Sequence, residues 1–524
     1  MSEQDSGRKT LTIKGRAKPG ARTPGKEEPA RTRIGARARQ VAHLNRGKEQ
    51  LARQAERLNP ELAQASPPER ASDWSVARRP SSRPASSKGV QPKRHITAHT
   101  AQTSEQHTGQ HSTQHDGDRH RTPRDNAPAA PQERLVRVAH AFDDTETFHI
   151  FAPCPVGLEA ALAAELNALG YEQVNPTRAG CHFMADWWGV QRANLYSRLA
   201  TRILVRVGQA PVQREDDVLE LAQSIGWERW FGAEHTLRVD TSAVRSPMQS
   251  LQYCNLRAKD GICDRLRELE GERPSIDTVR PVARVLLFLS ADTATMYLDT
   301  SGESLFKRGW RLDKGDAPLR ENLAAGMLAL SDWDPTGALL DPFCGSGTIL
   351  IEAAWIALGV PPGITRPFGF ERLRDHDARR WEDLKEDARA RILPELQSPL
   401  VGIDADPQAI ESARSNAERA HLTEDTIQFE LGDARDAVAP AATGWIVTNP
   451  PYGERLEEAD IAFWREWSSN LKKEFSGWQV NIITSDHDLP KHLRLKANRR
   501  TPLYNGALDC RLFNFEVVAD SYRS

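Results

Sequence analysis

The sequence predicts an α/β fold for its C-terminal part, small α+β modules ahead of it, and a long disordered tail at the N-terminus. Three observations carry this. From about residue 312, strand-like apolar runs at 337–343, 400–406, 427–433, 445–449 and 479–485 alternate with helical stretches, the pattern of a parallel sheet covered on both faces. Between 148 and 298 the elements are shorter and ordered differently, as in small α+β units. Residues 1–145 are rich in Arg, Pro, Ser, Gln and His, with Trp74 the sole aromatic before Phe142, too little apolar surface to offset chain entropy.

Within the tail, residues 39–58 could form a short helix. Its eight His are scattered without ligand spacing, so a solvated tail is expected rather than a metal site. Order is expected to begin with a strand at 148–152. A helix follows at 157–169, with Leu158, Leu162, Leu166 and Leu169 at helical spacing and Gly170 ending it. A helix at 188–199 and a strand at 203–207 complete a first module. The second comprises a helix at 218–225, a strand at 236–241, a helix around 250–268, and strands at 283–289 and 295–298. In the C-terminal part, residues 361–399 read as an insertion containing an exposed charged helix at 381–393. The run 510–517 follows Asn505-Gly506, a tight-turn dipeptide, and is expected to pair antiparallel.

The formal net charge of the 524 residues, -2, hides an asymmetry. Residues 1–140 hold 27 Lys and Arg against 14 Asp and Glu; the remainder holds 43 against 58. A basic arm on an acidic body points to nucleic acid or another anionic partner. The longest apolar run, 285–289, falls far short of the roughly 20 residues of a membrane span. Met1 leads into polar sequence, so no secretory leader is expected. The Cys at 154, 181, 254, 263, 344 and 510 form no CxxC pair, so neither a zinc site nor a disulfide framework is expected, and the reading is a soluble, cytoplasmic protein.

Four motifs fall at strand ends. Asp341-Pro342-Phe343-Cys344-Gly345-Ser346-Gly347-Thr348 takes a strand through two glycines into a helix, where backbone can approach a ligand closely. It lacks the Lys-Ser/Thr of a P-loop and the third glycine of a dinucleotide fingerprint. Asp404, in Val401-Gly402-Ile403-Asp404-Ala405-Asp406, is placed to accept hydrogen bonds from a ribose diol. Asp433, in Leu431-Gly432-Asp433, could meet an adenine amino group. Thr448-Asn449-Pro450-Pro451-Tyr452-Gly453 follows an apolar strand at the carboxyl edge, where open α/β sheets bind ligands. There the Asn449 oxygen and the Pro450 carbonyl can face one amino group, and Tyr452 can stack on a base.

These motifs resemble the class I S-adenosylmethionine-dependent methyltransferases that act on exocyclic amino groups. Upstream, Cys154-Pro155-x-Gly157-Leu158-Glu159, Lys259-Asp260-Gly261-Ile262-Cys263-Asp264, Ser301-Gly302-Glu303-Ser304-Leu305-x-Lys307-Arg308-Gly309 and Ala317-Pro318-Leu319-x-Glu321-Asn322 are similar to the THUMP-domain RNA methyltransferases, particularly the bacterial 23S ribosomal RNA guanine-N2 methyltransferase family. The resemblance spans about 148–518. It implies a ferredoxin-like module at 146–206, a THUMP RNA-binding domain at 207–305 and a Rossmann-like methyltransferase domain at 306–524. It implies S-adenosylmethionine as cofactor, held by Asp341, Cys344, Gly345, Gly347 and Thr348 at its methionine and sugar, Asp404 at the ribose hydroxyls and Asp433 at the adenine. Asn449, Pro450, Pro451 and Tyr452 would grip the target base, with neither a metal nor a covalent intermediate required.

Structured RNA is the implied partner, ribosomal before transfer RNA, and Lys307, Arg308 and Arg311 are candidate phosphate contacts beside the reading of a solvated linker. Cys344 as a thiolate nucleophile is disfavoured, because it sits in the tight glycine turn and the Pro-Pro pair is followed by Tyr rather than Cys. Adenine-N6 transfer, and a non-enzymatic role as an RNA-binding assembly factor, stay as alternatives.

Overall fold

A computed structural model describes residues 145–312, 319–374, 376–451 and 458–518. The basic tail with its expected helix, Ala317-Pro318 and Tyr452 lie outside the described residues.

The N-terminal half of the described chain is built on a single eight-stranded sheet. Its strands are β1 (Thr147–Pro153), β2 (Asn175–Thr177), β3 (Gly180–Asp186), β4 (Leu204–Pro211), β5 (Thr236–Ala243), β6 (Ser275–Ile276), β7 (Ala283–Leu289) and β8 (Thr293–Asp299), in the order β2-β3-β1-β4-β8-β7-β5-β6. The two expected modules are thus fused edge to edge. β4 pairs antiparallel with β8 from Leu204–Asp299 to Pro211–Thr293, with a bulge between Arg206 and Gly208. Edge pairing is set by register between residues about 90 apart, which local periodicity does not encode. Helices Glu159–Ala168, Trp187–Tyr196, Glu215–Ser224 and Leu251–Glu270 pack on this sheet. The last is capped at its start by the Ser250 side chain and ended by Gly271 at φ 85°, the left-handed stop glycine tolerates best.

The second sheet has seven strands: β9 (Ala338–Asp341), β10 (Leu400–Asp404), β11 (Gln428–Leu431), β12 (Gly444–Thr448), β13 (Gln479–Thr484), β14 (Arg499–Asn505) and β15 (Leu508–Glu516). Their order is β11-β10-β9-β12-β13-β15-β14, with the first five parallel and β15 antiparallel to both neighbours. β14 and β15 form the hairpin that Asn505-Gly506 turns, with Gly506 at φ 66°. Chain progression reverses between β9 and β12, so the crevice past their carboxyl ends is the switch point at which such sheets bind ligands.

The insertion joins the two halves. Gly363 donates to the Leu195 carbonyl at 3.0 Å, Phe370 to Thr300 at 2.9 Å and Arg374 to Trp230 at 2.9 Å. The Arg374 guanidinium is gripped by Glu270 at 2.6 Å and Glu234 at 2.8 Å. Burial works to raise the Glu234 carboxyl, but these bonds win and hold it down to about 2. Gly302, at φ 75°, faces Gly369 so closely that a Cβ on Gly369 would lie 2.8 Å from the Gly302 nitrogen; two glycines are what allow this crossing. The expected exposed helix is amphipathic instead. It runs Ala378–Ala390, and Trp381 is buried edge-on against Phe368 and Phe370, at 5.7 and 5.0 Å between ring centroids.

Candidate functional site

β9 is buried along its length and ends at Asp341, 1% exposed, at the switch point. From the neighbouring strand end, Thr448 donates its hydroxyl to the Asp341 carboxylate at 2.6 Å, and the Phe343 amide adds a bond at 3.2 Å. Burial pushes the Asp341 carboxyl up to about 7, more than these bonds lower it. The glycine loop then turns with Gly345 at φ 53° and Gly347 at φ 78°, and Gly347 sits at the start of the buried helix Thr348–Ala357.

Three bonds stitch this loop to its neighbours. Cys344 donates to the Ile403 carbonyl at 3.0 Å, Gly345 donates to the Asp404 carboxylate at 2.9 Å, and Asn416 reaches the Ser346 carbonyl at 3.0 Å. The other Asp404 oxygen accepts from Asp406 at 3.0 Å, and Gly432 donates to the Asp404 carbonyl at 3.1 Å, tying the β10 and β11 ends together. Asp341, Cys344, Gly345, Gly347, Thr348 and Asp404 therefore converge on one edge. Asp433 lies past β11 on the same edge, but its carboxylate is turned onto Arg435, at 2.7 and 3.0 Å, which holds it below its usual range. Cys344 is buried, and burial followed by the nearby Asp341 and Asp404 pushes its thiol well above the usual value, so it is a poor thiolate.

Beyond β12, Pro450 is buried and Pro451 exposed. The Asn449 side-chain oxygen is buried and has no hydrogen-bond partner among the described residues. A buried amide oxygen left unpaired carries a cost, and an incoming N–H donor removes it. Above the loop, a Cβ at Gly345 would meet nothing within 4 Å among the described residues, which leave this side open. Phe343 closes the far side against Phe463 (6.1 Å), Trp464 (6.1 Å) and Trp467 (5.2 Å).

The position of Lys307 is exposed, paired with Glu303 at 3.2 Å. Arg308 and Arg311 require a correction, because neither faces solvent. Arg308 is 1% exposed, bonded to the wholly buried Glu352 at 3.1 Å and to the Leu305 and Arg198 carbonyls at 2.7 and 2.6 Å. The Arg311 side chain is 7% exposed, with Glu321 at 3.1 Å. Both are buried counter-ions and present nothing to a phosphate.

Sequence reasoning passed over Thr448, Asn416 and the aromatic wall. Asn416 did leave a signal, as a polar residue on the face Ile410, Ala413 and Ala417 bury. Among the described residues there is no group of three or more His, Cys, Asp or Glu able to hold a metal, and no helix long and apolar enough to cross a membrane.

Parallel strands reversing at β9 and β12, two acids at their ends and a glycine loop between them define the fold of S-adenosylmethionine-dependent methyltransferases. Family models agree along the chain: an RlmL ferredoxin-like domain at 149–204, a THUMP domain at 212–299 and an RMKL-like methyltransferase domain at 308–514. The chain belongs to the THUMP-domain methyltransferase family. It is 41% identical over 385 residues to the ribosomal RNA large subunit methyltransferase K/L of Syntrophotalea carbinolica, covering 71% of this chain and 54% of that one. It thus spans about half the length of the curated relatives it matches. A structure from Clostridium difficile 630, described as a possible methylase, aligns over 72% of this chain and all of its own, at 32% identity and a TM-score of 0.66. SMU.472, solved in complex with SAH, aligns over the same shares at 28% identity and a TM-score of 0.66.

The residues present suit that cofactor. A buried carboxyl lies ready for a cationic group, a second acid stands at the neighbouring strand end, and the loop between them is open on one side.

Proposed function

We propose that this chain methylates the exocyclic N2 amino group of a guanine in structured RNA, with 23S ribosomal RNA as the substrate and S-adenosylmethionine as the methyl donor. The observation that carries the reading is the buried Asn449 oxygen at the switch point, without a partner among the described residues. When bound, S-adenosylmethionine supplies an electrophilic methyl group. Asp341, Asp404 and the glycine loop hold the donor's polar groups. Asn449 accepts one N–H of the target amine and the Pro450 carbonyl the other. This favours the pyramidal nitrogen, whose lone pair is no longer delocalised into the ring, and aims it at the donor. Positioning of this kind supplies most of the rate. Tyr452 stacks on a base turned out of its helix. Ribosomal RNA as the substrate rests on the names of the half-matched relatives, and RNA as the class on the THUMP-domain match.

The test is methyl transfer to 23S and transfer RNA followed by nucleoside mass spectrometry. N2-methylguanosine in 23S RNA supports the reading. N6-methyladenosine, methylated transfer RNA alone, or RNA binding without any transfer would replace it. Asn449→Ala is expected to lower single-turnover transfer by about 100-fold or more while S-adenosylhomocysteine binding persists. Unchanged transfer would remove Asn449 from the mechanism.

A further inference from the structure

Residues 141–524 hold more acidic than basic side chains, yet one cavity among them is basic. It measures about 530 Å³ and lies between the eight-stranded sheet and the 367–372 segment of the insertion. Six cationic side chains line it: Arg202, Arg238, Arg280, Arg284, Lys307 and Arg372. The carboxylates of the lining are Asp299 and Glu303, with Asp240 held against the arginines.

Sheet register explains the arrangement. Arg238 on β5 and Arg284 on β7 are direct partners. Asp240, two residues along β5 on the same face, bridges them, at 2.7 Å from Arg238 and 2.6 Å from Arg284. The wholly buried Asp299 at the end of β8 pairs with Arg202 and lies 3.9 Å from Arg284. Two carboxylates thus lock three guanidiniums. Arg202, 13% exposed, also donates to the Gly302 carbonyl at 2.6 Å and to Ser304 Oγ at 3.2 Å and serves the fold, whereas Arg238 and Arg284 stay 34% and 23% exposed.

Two further arginines stand opposite each other at the rim. Arg280 is exposed on the loop between β6 and β7, and Arg372 on the insertion. Neither guanidinium makes a hydrogen bond or a salt bridge among the described residues, although the Asp277 carboxyl, held below its usual range first by the Arg280 and Val279 amides, also feels the Arg280 charge. The Arg280 loop is nevertheless set. The Asp277 carboxylate accepts the amides of Val279 and Arg280 at 2.8 and 3.0 Å, and so faces its own backbone. Val279, at the tip, is 82% exposed.

We propose that this cleft is a phosphodiester-binding site that takes the backbone of the substrate RNA, with Arg280, Arg372 and Lys307 joining Arg284 and Arg238. The proposal rests on the reading of the chain as an RNA methyltransferase and adds where the RNA is held. Arg238 on β5, Arg284 on β7, Arg280 on the β6–β7 loop, Lys307 and Arg372 are spread around the cavity rather than gathered on one point. Such a spread fits successive phosphates of a strand better than one free phosphate ion. Guanidinium forks bind such oxygens bidentately. A cleft shared by the RNA-binding half and the insertion of the catalytic half also fixes RNA relative to both at once.

The test uses the full chain and a 23S ribosomal RNA transcript, with affinity measured across a salt series. Arg280→Glu/Arg372→Glu alters two exposed, unpaired side chains outside the catalytic edge. It should weaken binding at least tenfold near 0.1 M salt and lower the slope of log K against log salt by about 1.4 or more. S-adenosylhomocysteine binding and the melting temperature should not change, and Arg280→Lys/Arg372→Lys should retain most of the slope. Wild-type affinity and slope in the double glutamate variant overturn the cleft and leave the proposed activity standing. A wild-type chain that binds S-adenosylhomocysteine but no RNA overturns both. Millimolar inorganic phosphate binding that the double glutamate variant loses, with transcript affinity unchanged, assigns the cleft to the free ion and overturns the RNA assignment; transcript affinity lost in that variant supports it.

Discussion

Two buried polar clusters in this molecule contrast in the charges they bring together. At the junction of its halves, the wholly buried Glu352 meets Arg308 at 3.1 Å and Arg198 at 3.7 Å, and Arg308 spends its remaining donors on carbonyls. Opposite charges are matched there, two guanidiniums on one carboxylate, although Glu352 Oε2 and Arg198 Nη1 lack a hydrogen bond among the described residues. At the switch point, the equally buried Asp341 has a hydroxyl and an amide but, among the described residues, no cation beside it, and the nearby Asn449 oxygen has no donor among them. Paired charge holds the fold, whereas a buried carboxyl with no cation beside it leaves a place for a cationic ligand group.

Breaking the matched cluster should have the largest effect. Arg308→Ala strands Glu352 without its main counter-ion and is expected to cost about 3–5 kcal/mol, read as a lower denaturation midpoint at unchanged m-value. A loss below about 1 kcal/mol would mean that water or Arg198 replaces it.

Next is Asp341. Its carboxyl is raised by burial to about 7, from an ordinary value of 3.8. The folded chain therefore holds this proton more tightly than the unfolded chain does. Stability contributed by this group is greatest below about pH 4 and declines as pH rises toward 7. A cationic ligand group needs the ionised form, so affinity for S-adenosylhomocysteine should rise up to tenfold per pH unit below 7 and level off above it. Asp341→Asn should flatten that profile. A pH-independent wild-type affinity between 5.5 and 8 would show that Asp341 is not titrated by the ligand.

Arg374 sharpens the comparison on the strap. Arg374→Ala removes the tie to Glu234 and Glu270, with an expected loss of about 1–3 kcal/mol and faster proteolysis of the 360–378 segment. Lys307 is the smallest case. Its pair with Glu303 is exposed, so Lys307→Ala should alter stability by no more than about 0.5 kcal/mol, while lowering the RNA salt slope by about 0.7.

Much of the methyltransferase-fold half was legible along the chain. The strands ending at Asp341, Asp404 and Thr448 are short apolar runs closed by a polar residue, and the Asn505-Gly506 turn foretold the hairpin, because each is a local matter of period and turn chemistry. The short β2–β3 hairpin was not seen, since Asn175–Thr177 has neither alternation nor apolar content. Trp381 and the arginines show the other limit. A charged segment read as exposed turned one tryptophan inward, and Arg308 and Arg311, read as phosphate contacts, became counter-ions to Glu352 and Glu321.

The sequence by itself determined which residues stand at the ends of the parallel strands, because alternation, glycine turns and strand-closing acids act within a few residues. Tertiary structure alone decided the fusion of two modules into one sheet, the strap that joins the halves, and which cations face solvent. Those outcomes depend on pairs such as Leu204 with Asp299, Arg308 with Glu352 and Arg374 with Glu234, which lie about 40 to 140 residues apart. Whether a charge is buried beside its partner or left free for a ligand is settled only when both ends of such a pair have arrived.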